Sequence, residues 1–408
     1  MLKAFQASWV IVGDGHSDAI RDGAVVVDEV AAIVAVGAAS DLRAQFPSAS
    51  WSTHRGVLLP GLVNAYARLE HALVEERVAG GAGFVPFFAE LSAKFSPWMA
   101  LEMDDAPIRA AVLELARLGT SAVGDVTASG ATMPILLRSR LASRIFREVA
   151  GMSADAARMV DSFAREQLDE LSPIELERVS LVPHSLLGTH RDFVRSLAAE
   201  ARETKSLFAL PLATSAAERA FLLSKDGPFA EFARSRGMDL GDDPSLGSAS
   251  VEAALALDAL HEGTLATQLV DATRDEIAAL ARSGASVVVM PRAALHVEVR
   301  LPDVPAMLAD GLSPALGTDS VLASGDLDVL AEAKTLRARF PGIAPRLLIA
   351  MATSFGARAL HKDALGELAP GKTPGVLLIE GEVAGDPEAW VLGDLRRSRR
   401  FLANPSAV

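Results

Sequence analysis

Residues 57–70 read VLLPGLVNAYARLE, and the change of character inside this stretch decides the fold. Val57–Leu59 is a short apolar run, Pro60-Gly61 breaks it, and an apolar run resumes at Leu62–Ala65. Upstream, the chain is strand-like. AFQASWVIVGDG (4–15) alternates, GAVVVDEVAAIVAVG (23–37) is rich in β-branched residues, and Asp14-Gly15 and Asp22-Gly23 mark turns. Downstream, short apolar runs alternate with longer segments of helical period. The strand candidates are 62–65, 121–126, 144–149, 179–183, 207–212, 265–270, 286–290 and 313–317. Segments such as 106–118, 191–204, 218–236 and 274–283 lie between them as helices. Fully apolar strands separated by helices imply a parallel sheet with crossover helices. Eight such units fit a closed (β/α)8 barrel, with a doubly wound open sheet as the alternative.

The C-terminal stretch returns to strand character in GVLLIEG (375–381) and AWVLG (389–393). The expected architecture is therefore α/β: a (β/α)8 TIM-type barrel over residues 61–362, beside a small composite β-sandwich built from 1–60 and 363–408. The cluster Arg396, Arg397, Arg399 and Arg400 reads as solvated surface.

Composition narrows the function. The 408 residues include no Cys, eight His and one Tyr, which excludes disulfides, thiolate metal sites and a Cys nucleophile. A formal charge of −13 disfavours nucleic acid as a partner. No run reaches the ~18–20 apolar residues of a membrane span. The N-terminus, MLKAFQASWVIVGDG, lacks a signal peptide's apolar block, so a cytoplasmic location is expected. Gly80-Gly81-Ala82-Gly83 lacks the Lys-Ser/Thr ending of a phosphate loop, and no Ser sits in a nucleophile elbow.

Several segments together carry a resemblance. They are LLPGLVNA (58–65), LEHALVEERVAGGAGFVPFF (69–88), GTSAVGDVT (119–127), VPHSLLGTH (182–190), AAERAFLLSKDGPFAEF (216–232), MPRAAL (290–295), LGTDSVLASGDLDVL (316–330), MATSFGARAL (351–360) and LGELAPGK (365–372). In this order the chain resembles the amidohydrolase superfamily, specifically its deaminase and chlorohydrolase branch, and within that branch the aminodeoxyfutalosine deaminase-like group. The resemblance implies the same barrel and β-sandwich, with residues 80–83 in a loop over the barrel mouth. It also implies metal-assisted hydrolysis, in which zinc or iron activates a water toward a carbon bearing an amine or chloride. The substrates implied are purine-type or other aminated rings.

The family's ligand positions are a His-x-His pair after the first strand, a His after the fifth, a His after the sixth and an Asp after the eighth. Here they fall on Tyr66 and Arg68, Pro211, Gln268 and Asp319. The proton-shuttling Glu falls on Thr214, the second His after the sixth strand on Asp271, and the His-Cys-Pro-Arg-Ser-Asn segment on Val289–Ala294. Only Asp319 keeps its type. Pro has no donor, Arg carries a permanent positive charge, and zinc wants three or four N, S or O ligands. No metal and no other cofactor is expected. His71, His184, His190, His261 and His296 look scattered, none spaced to pair with another on a helix.

Asp319 and His184 are the candidate catalytic groups, and His184, Arg292, Glu218 and Ser320 the candidate substrate-binding residues. Each has a plainer reading: Asp319 as a buried carboxylate held by Arg68, Glu218 as a helix N-terminal acid, Tyr66 as filler, Gln268 and Thr214 as partners of each other. Three functional readings stay open. One is a metal-free relative that binds a small molecule or a partner. The second is a hydrolase of non-peptide C–N bonds with an altered or metal-free mechanism. The third is a structural subunit, as a homo-oligomer or paired with an active paralogue.

Overall fold

The computed structural model describes residues 1–240 and 245–404. Eight parallel strands make the core of an α/β architecture. Leu62–Ala67, Thr120–Thr127, Ala142–Val149 and Val179–Pro183 lie side by side in one run, and Phe208–Leu212, Thr264–Gln268, Ser286–Val289 and Ala315–Leu316 in a second. The fourth and fifth strands pack beside each other. A parallel bridge between Ala67 and Asp319 joins the first strand to the residues just past the eighth. The N–H groups of Thr318 and Asp319 both donate to the carbonyl of Tyr66, at 2.9 and 3.1 Å, and Arg68 N–H donates to the carbonyl of Asp319 at 3.0 Å. The ring of a (β/α)8 barrel thus closes at the residues that end its first and last strands. Most strand residues are buried on both faces, which is why the strands appear in the sequence as unbroken apolar runs.

Both chain ends build a second unit of two sheets. Lys3–Gln6, Gly23–Val27, Ile33–Ala38 and Ser50–Thr53 form one. Trp9–Val10, Ile20–Arg21, Gly56–Pro60, Val376–Glu380 and Arg399–Ala403 form the other. The C-terminal strand Val376–Glu380 runs antiparallel to Gly56–Pro60, with Leu377 opposite Leu59. Phe5, Val10, Val25, Leu58 and Leu378 fill the space between the sheets.

Three local expectations fail. AWVLG is not a strand: Pro387–Val391 is a helix, because Asp386 caps it by accepting the Ala389 N–H at 2.6 Å and Pro387 sits in its first turn. The single helix over 218–236 is two, Ala216–Ser224 and Pro228–Ser235, broken where Lys225 turns left-handed and Gly227-Pro228 starts the next helix. The Arg cluster is not one solvated patch. Arg396 is exposed, but the Arg399 side chain is only 4% exposed and donates to both oxygens of Asp328 at 2.8 and 2.7 Å. Arg397 lies over the Trp390 ring at 3.9 Å. Arg399 thereby ties the last strand of the β-unit to the cap of the barrel helix Val329–Arg339. Among the described residues, no helix is long and apolar enough to cross a membrane.

Candidate functional site

The C-terminal ends of the barrel strands face a cavity of about 460 Å³. That end is where barrels of this kind carry their sites. Its roof comes from the segment that follows the glycine-rich loop. Gly81 and Gly83 donate backbone N–H groups to the carbonyls of His296 and Val297, at 2.6 and 3.0 Å, pinning the loop to the far side of the mouth. The helix Phe84–Lys94 starts there, and Phe84, Phe87, Phe88 and, just beyond it, Phe95 line the cavity.

The floor is polar, and Arg68 is at its centre. Its Nη1 and Nη2 donate to the two carboxylate oxygens of Glu148 at 3.0 and 2.6 Å, and Nη2 also donates to the Tyr66 hydroxyl at 3.1 Å. Asp319 stands on the other side, with Oδ1 at 3.8 Å from Arg68 Nε. The expected pairing of Arg68 with Asp319 is therefore the weaker contact. The main counter-charge is Glu148, at the end of the third strand. The reason is geometric: Tyr66 and Arg68 project to one side of the first strand, while Asp319 is held by the backbone bridge to Ala67.

Burial first, and this pair second, set the protonation states around it. Burial raises the Glu148 carboxyl, but Arg68, with His184 and His71 adding, more than offsets that and the net shift is downward. Burial pushes the Tyr66 phenol up, against a smaller opposite pull from Arg68, so it stays a neutral hydroxyl. Burial pushes His71 down to about 3, and Arg68 adds to the effect. His184 shifts down as well, by burial first, with Glu148 opposing. Burial lifts the Asp319 carboxyl above its usual range despite Arg68.

Each sequence-predicted residue has a definite place. Arg68, His184, Pro211, Thr214, Gln268, Asp319 and Ser320 line the cavity together. Tyr66 is buried, its hydroxyl turned to Arg68. Gln268 and Thr214 do not satisfy each other. Thr214 donates its N–H and hydroxyl to Glu218 at 2.5 and 2.6 Å, and Gln268 reaches Asp319 at 3.5 Å. Glu218 is absent from the lining: it is fully buried, and its other oxygen accepts from Ser250 at 2.8 Å. Arg292 is also absent from the lining, since its Nε and backbone N–H both donate to the buried Glu332 at 2.7 Å and its Nη2 to Asp326 at 2.8 Å. A carboxylate as buried as Glu332 needs that cation more than the cavity does.

Sequence reasoning missed Glu148 and His71. The only trace of Glu148 was a charged pair, Arg147-Glu148, just before the end of the third strand. His71 seemed isolated, yet it and His184 both line the cavity. The His71 Nδ1 is buried with no hydrogen-bond partner, and its ring packs edge-on against Phe95 at 5.0 Å. Backbone strain collects at the same rim. Ala213, Gln268, Leu269 and Asp319 follow the fifth, sixth and eighth strands at φ of 47°, 73°, 60° and 55°, a left-handed region costly for residues other than Gly.

Among the described residues, no group of three or more His, Asp or Glu is placed to hold a metal ion. The positions that the resemblance assigns to metal ligands hold a neutral phenol, a proline without a donor, an amide and one carboxylate, around a guanidinium that cannot be deprotonated. This set does not fit a divalent cation.

Two outcomes follow from the ion pair and its histidine neighbour. Arg68→Met leaves Glu148 buried and uncompensated, a loss of about 3–5 kcal/mol in stability. Adding Glu148→Gln recovers part of it, so a double-mutant cycle read by chemical denaturation gives a coupling of about 2 kcal/mol or more, whereas additive losses would contradict the pairing. For His71, the unfolded chain takes up a proton near pH 6.5 that the folded chain refuses until about pH 3. Stability therefore falls as the pH drops through that window. His71→Asn should flatten the fall in unfolding midpoint between pH 6.5 and 4, and an unchanged slope would show that His71 titrates normally.

The amidohydrolase family model matches residues 57–396. The aminodeoxyfutalosine deaminase of Deinococcus radiodurans is 29% identical over 379 residues, covering 91% of this chain and 86% of the relative. A 5-methylthioadenosine/S-adenosylhomocysteine deaminase of Nitratidesulfovibrio vulgaris is 26% identical over 382 residues, covering 90% and 81%. In fold, the chain superposes on Helicobacter pylori aminofutalosine deaminase, solved with methylthio-coformycin, with a TM-score of 0.85 at 19% identity, covering 99% of each. The chain belongs to the amidohydrolase family and is deaminase-like within it.

Proposed function

We propose that this protein is a member of the amidohydrolase family that works without a catalytic metal ion and uses the barrel-mouth cavity to bind a small ring-bearing molecule. One observation carries the reading: the Arg68 guanidinium lies on the cavity floor, bonded to Glu148 and Tyr66 and 3.8 Å from Asp319. A fixed positive charge there disfavours a divalent ion and already neutralises Glu148, leaving Asp319 as the one further carboxylate of the floor. The cavity supports ligand binding. A pocket of this size, with an aromatic roof and a few convergent polar groups, is the usual form of a small-molecule site. Relatives named as aminodeoxyfutalosine and 5-methylthioadenosine/S-adenosylhomocysteine deaminases point to aminated purine-like rings as the first ligands to try.

A second reading has one observation in its favour. His184, His71, Glu148 and Asp319 converge on the same cavity, and a neutral imidazole beside a carboxylate is the equipment of a general base. A metal-free hydrolase would use His184 or Asp319 to take a proton from an attacking water. Direct assay separates the two. The purified protein, treated with a chelator, is incubated with 5-methylthioadenosine and with aminodeoxyfutalosine, and ammonia release is followed beside binding by calorimetry. Binding without ammonia release is the expected result. Ammonia release that survives chelation and disappears in both His184→Ala and Asp319→Asn would establish the hydrolase instead.

A further inference from the structure

We propose that the cavity selects a flat aromatic ligand bearing a cationic nitrogen group, such as an amidinium, and that Asp319 is the acceptor that recognises it. This deepens the reading above and rests on Arg68 being the resident cation of the site.

The charge inventory of the cavity carries the argument. Among its described lining residues, Arg68 is the one Lys or Arg, against three carboxylates, Glu148, Glu298 and Asp319. The charge of Arg68 is already paired with Glu148. Its two terminal nitrogens donate to both oxygens of Glu148 and to Tyr66. An anionic ligand would therefore find no uncommitted Lys or Arg on these walls and would meet two further carboxylates.

Asp319 is the under-used member. Its Nε contact from Arg68 is 3.8 Å, beyond hydrogen-bond length, and the amide of Gln268 reaches its other oxygen only at 3.5 Å. The Ser320 N–H adds one donor. A carboxylate offers about four lone-pair sites, so acceptor capacity is left facing the cavity. The left-handed backbone at Asp319 and its bridge to Ala67 fix where those oxygens sit. An amidinium is a planar fork of N–H donors that matches a carboxylate in two parallel bonds. The same cavity is lined by Phe84, Phe88 and Phe95, aromatic surface against which a flat aromatic body can pack.

The test uses three molecules of one shape and different charge: 2-naphthamidine, 2-naphthamide and 2-naphthoate. Each is titrated calorimetrically into the full-length protein with a chelator present, and again with added zinc. The amidine is expected to bind at least about tenfold tighter than the amide, and the carboxylate more weakly than either. In Asp319→Asn the amidine should fall to the affinity of the amide. The wild-type series alone decides the charge preference if that variant does not fold. Naphthoate binding as tightly as the amidine overturns the proposal, as does failure of all three to bind. An amidine preference that persists in Asp319→Asn overturns the role of Asp319. Binding that appears only with zinc overturns the metal-free reading instead, and is told apart because it depends on the ion for all three ligands.

Discussion

The buried pair of Arg68 and Glu148 is the constraint on which the rest of the site depends. A guanidinium only 14% exposed cannot stand without a counter-charge, and Glu148, 2% exposed, supplies one in two short bonds. The pair costs desolvation on both sides and is not there for stability alone. Its consequence is local order. Arg68 holds the Tyr66 hydroxyl, keeps Glu148 ionised and helps burial keep His71 uncharged. Asp319 is left with a distant cation and a long amide contact, the one floor carboxylate without a close side-chain partner among the described residues.

Barrel closure and site are the same set of residues. Backbone bonds between Tyr66, Arg68, Thr318 and Asp319 join the first and last strand ends, and the side chains of Arg68 and Asp319 among them line the cavity floor. Of the strained residues at the ends of the fifth, sixth and eighth strands, Gln268 and Asp319 line the cavity. They bring an amide and a carboxylate there, next to a guanidinium. The barrel of the family thus carries Arg68, Glu148, Gln268 and Asp319 at its mouth.

The barrel was legible because parallel strands buried on both faces leave continuous apolar runs, and all eight can be found from 62–65 to 313–317. Tyr66, Arg68, Gln268 and Asp319 were legible through the family resemblance, whose ligand positions fall on them. Glu148 was not. Arg68 demanded a partner, but nothing in a single sequence says which of the carboxylates 80 or more residues away will meet it. His71 was missed for the same reason, and its meeting with His184 in the cavity could not be seen: proximity between strand ends is a property of the closed ring, not of spacing. Arg292 and Glu218 sit in recognisable segments, yet Glu332 engages the first and Thr214 and Ser250 the second. Short-range signals misled where capping chemistry outweighed apolar pattern, as at Asp386-Pro387.

The claim that a guanidinium has taken the place of the ion is tested most directly by the metal content of the protein. The chain is produced in medium supplemented with zinc, iron and manganese, purified without chelator and measured by elemental mass spectrometry. Far less than one ion per chain is expected, and the same value in Asp319→Ala. A content near one zinc or iron per chain, lost in Asp319→Ala, would contradict that claim.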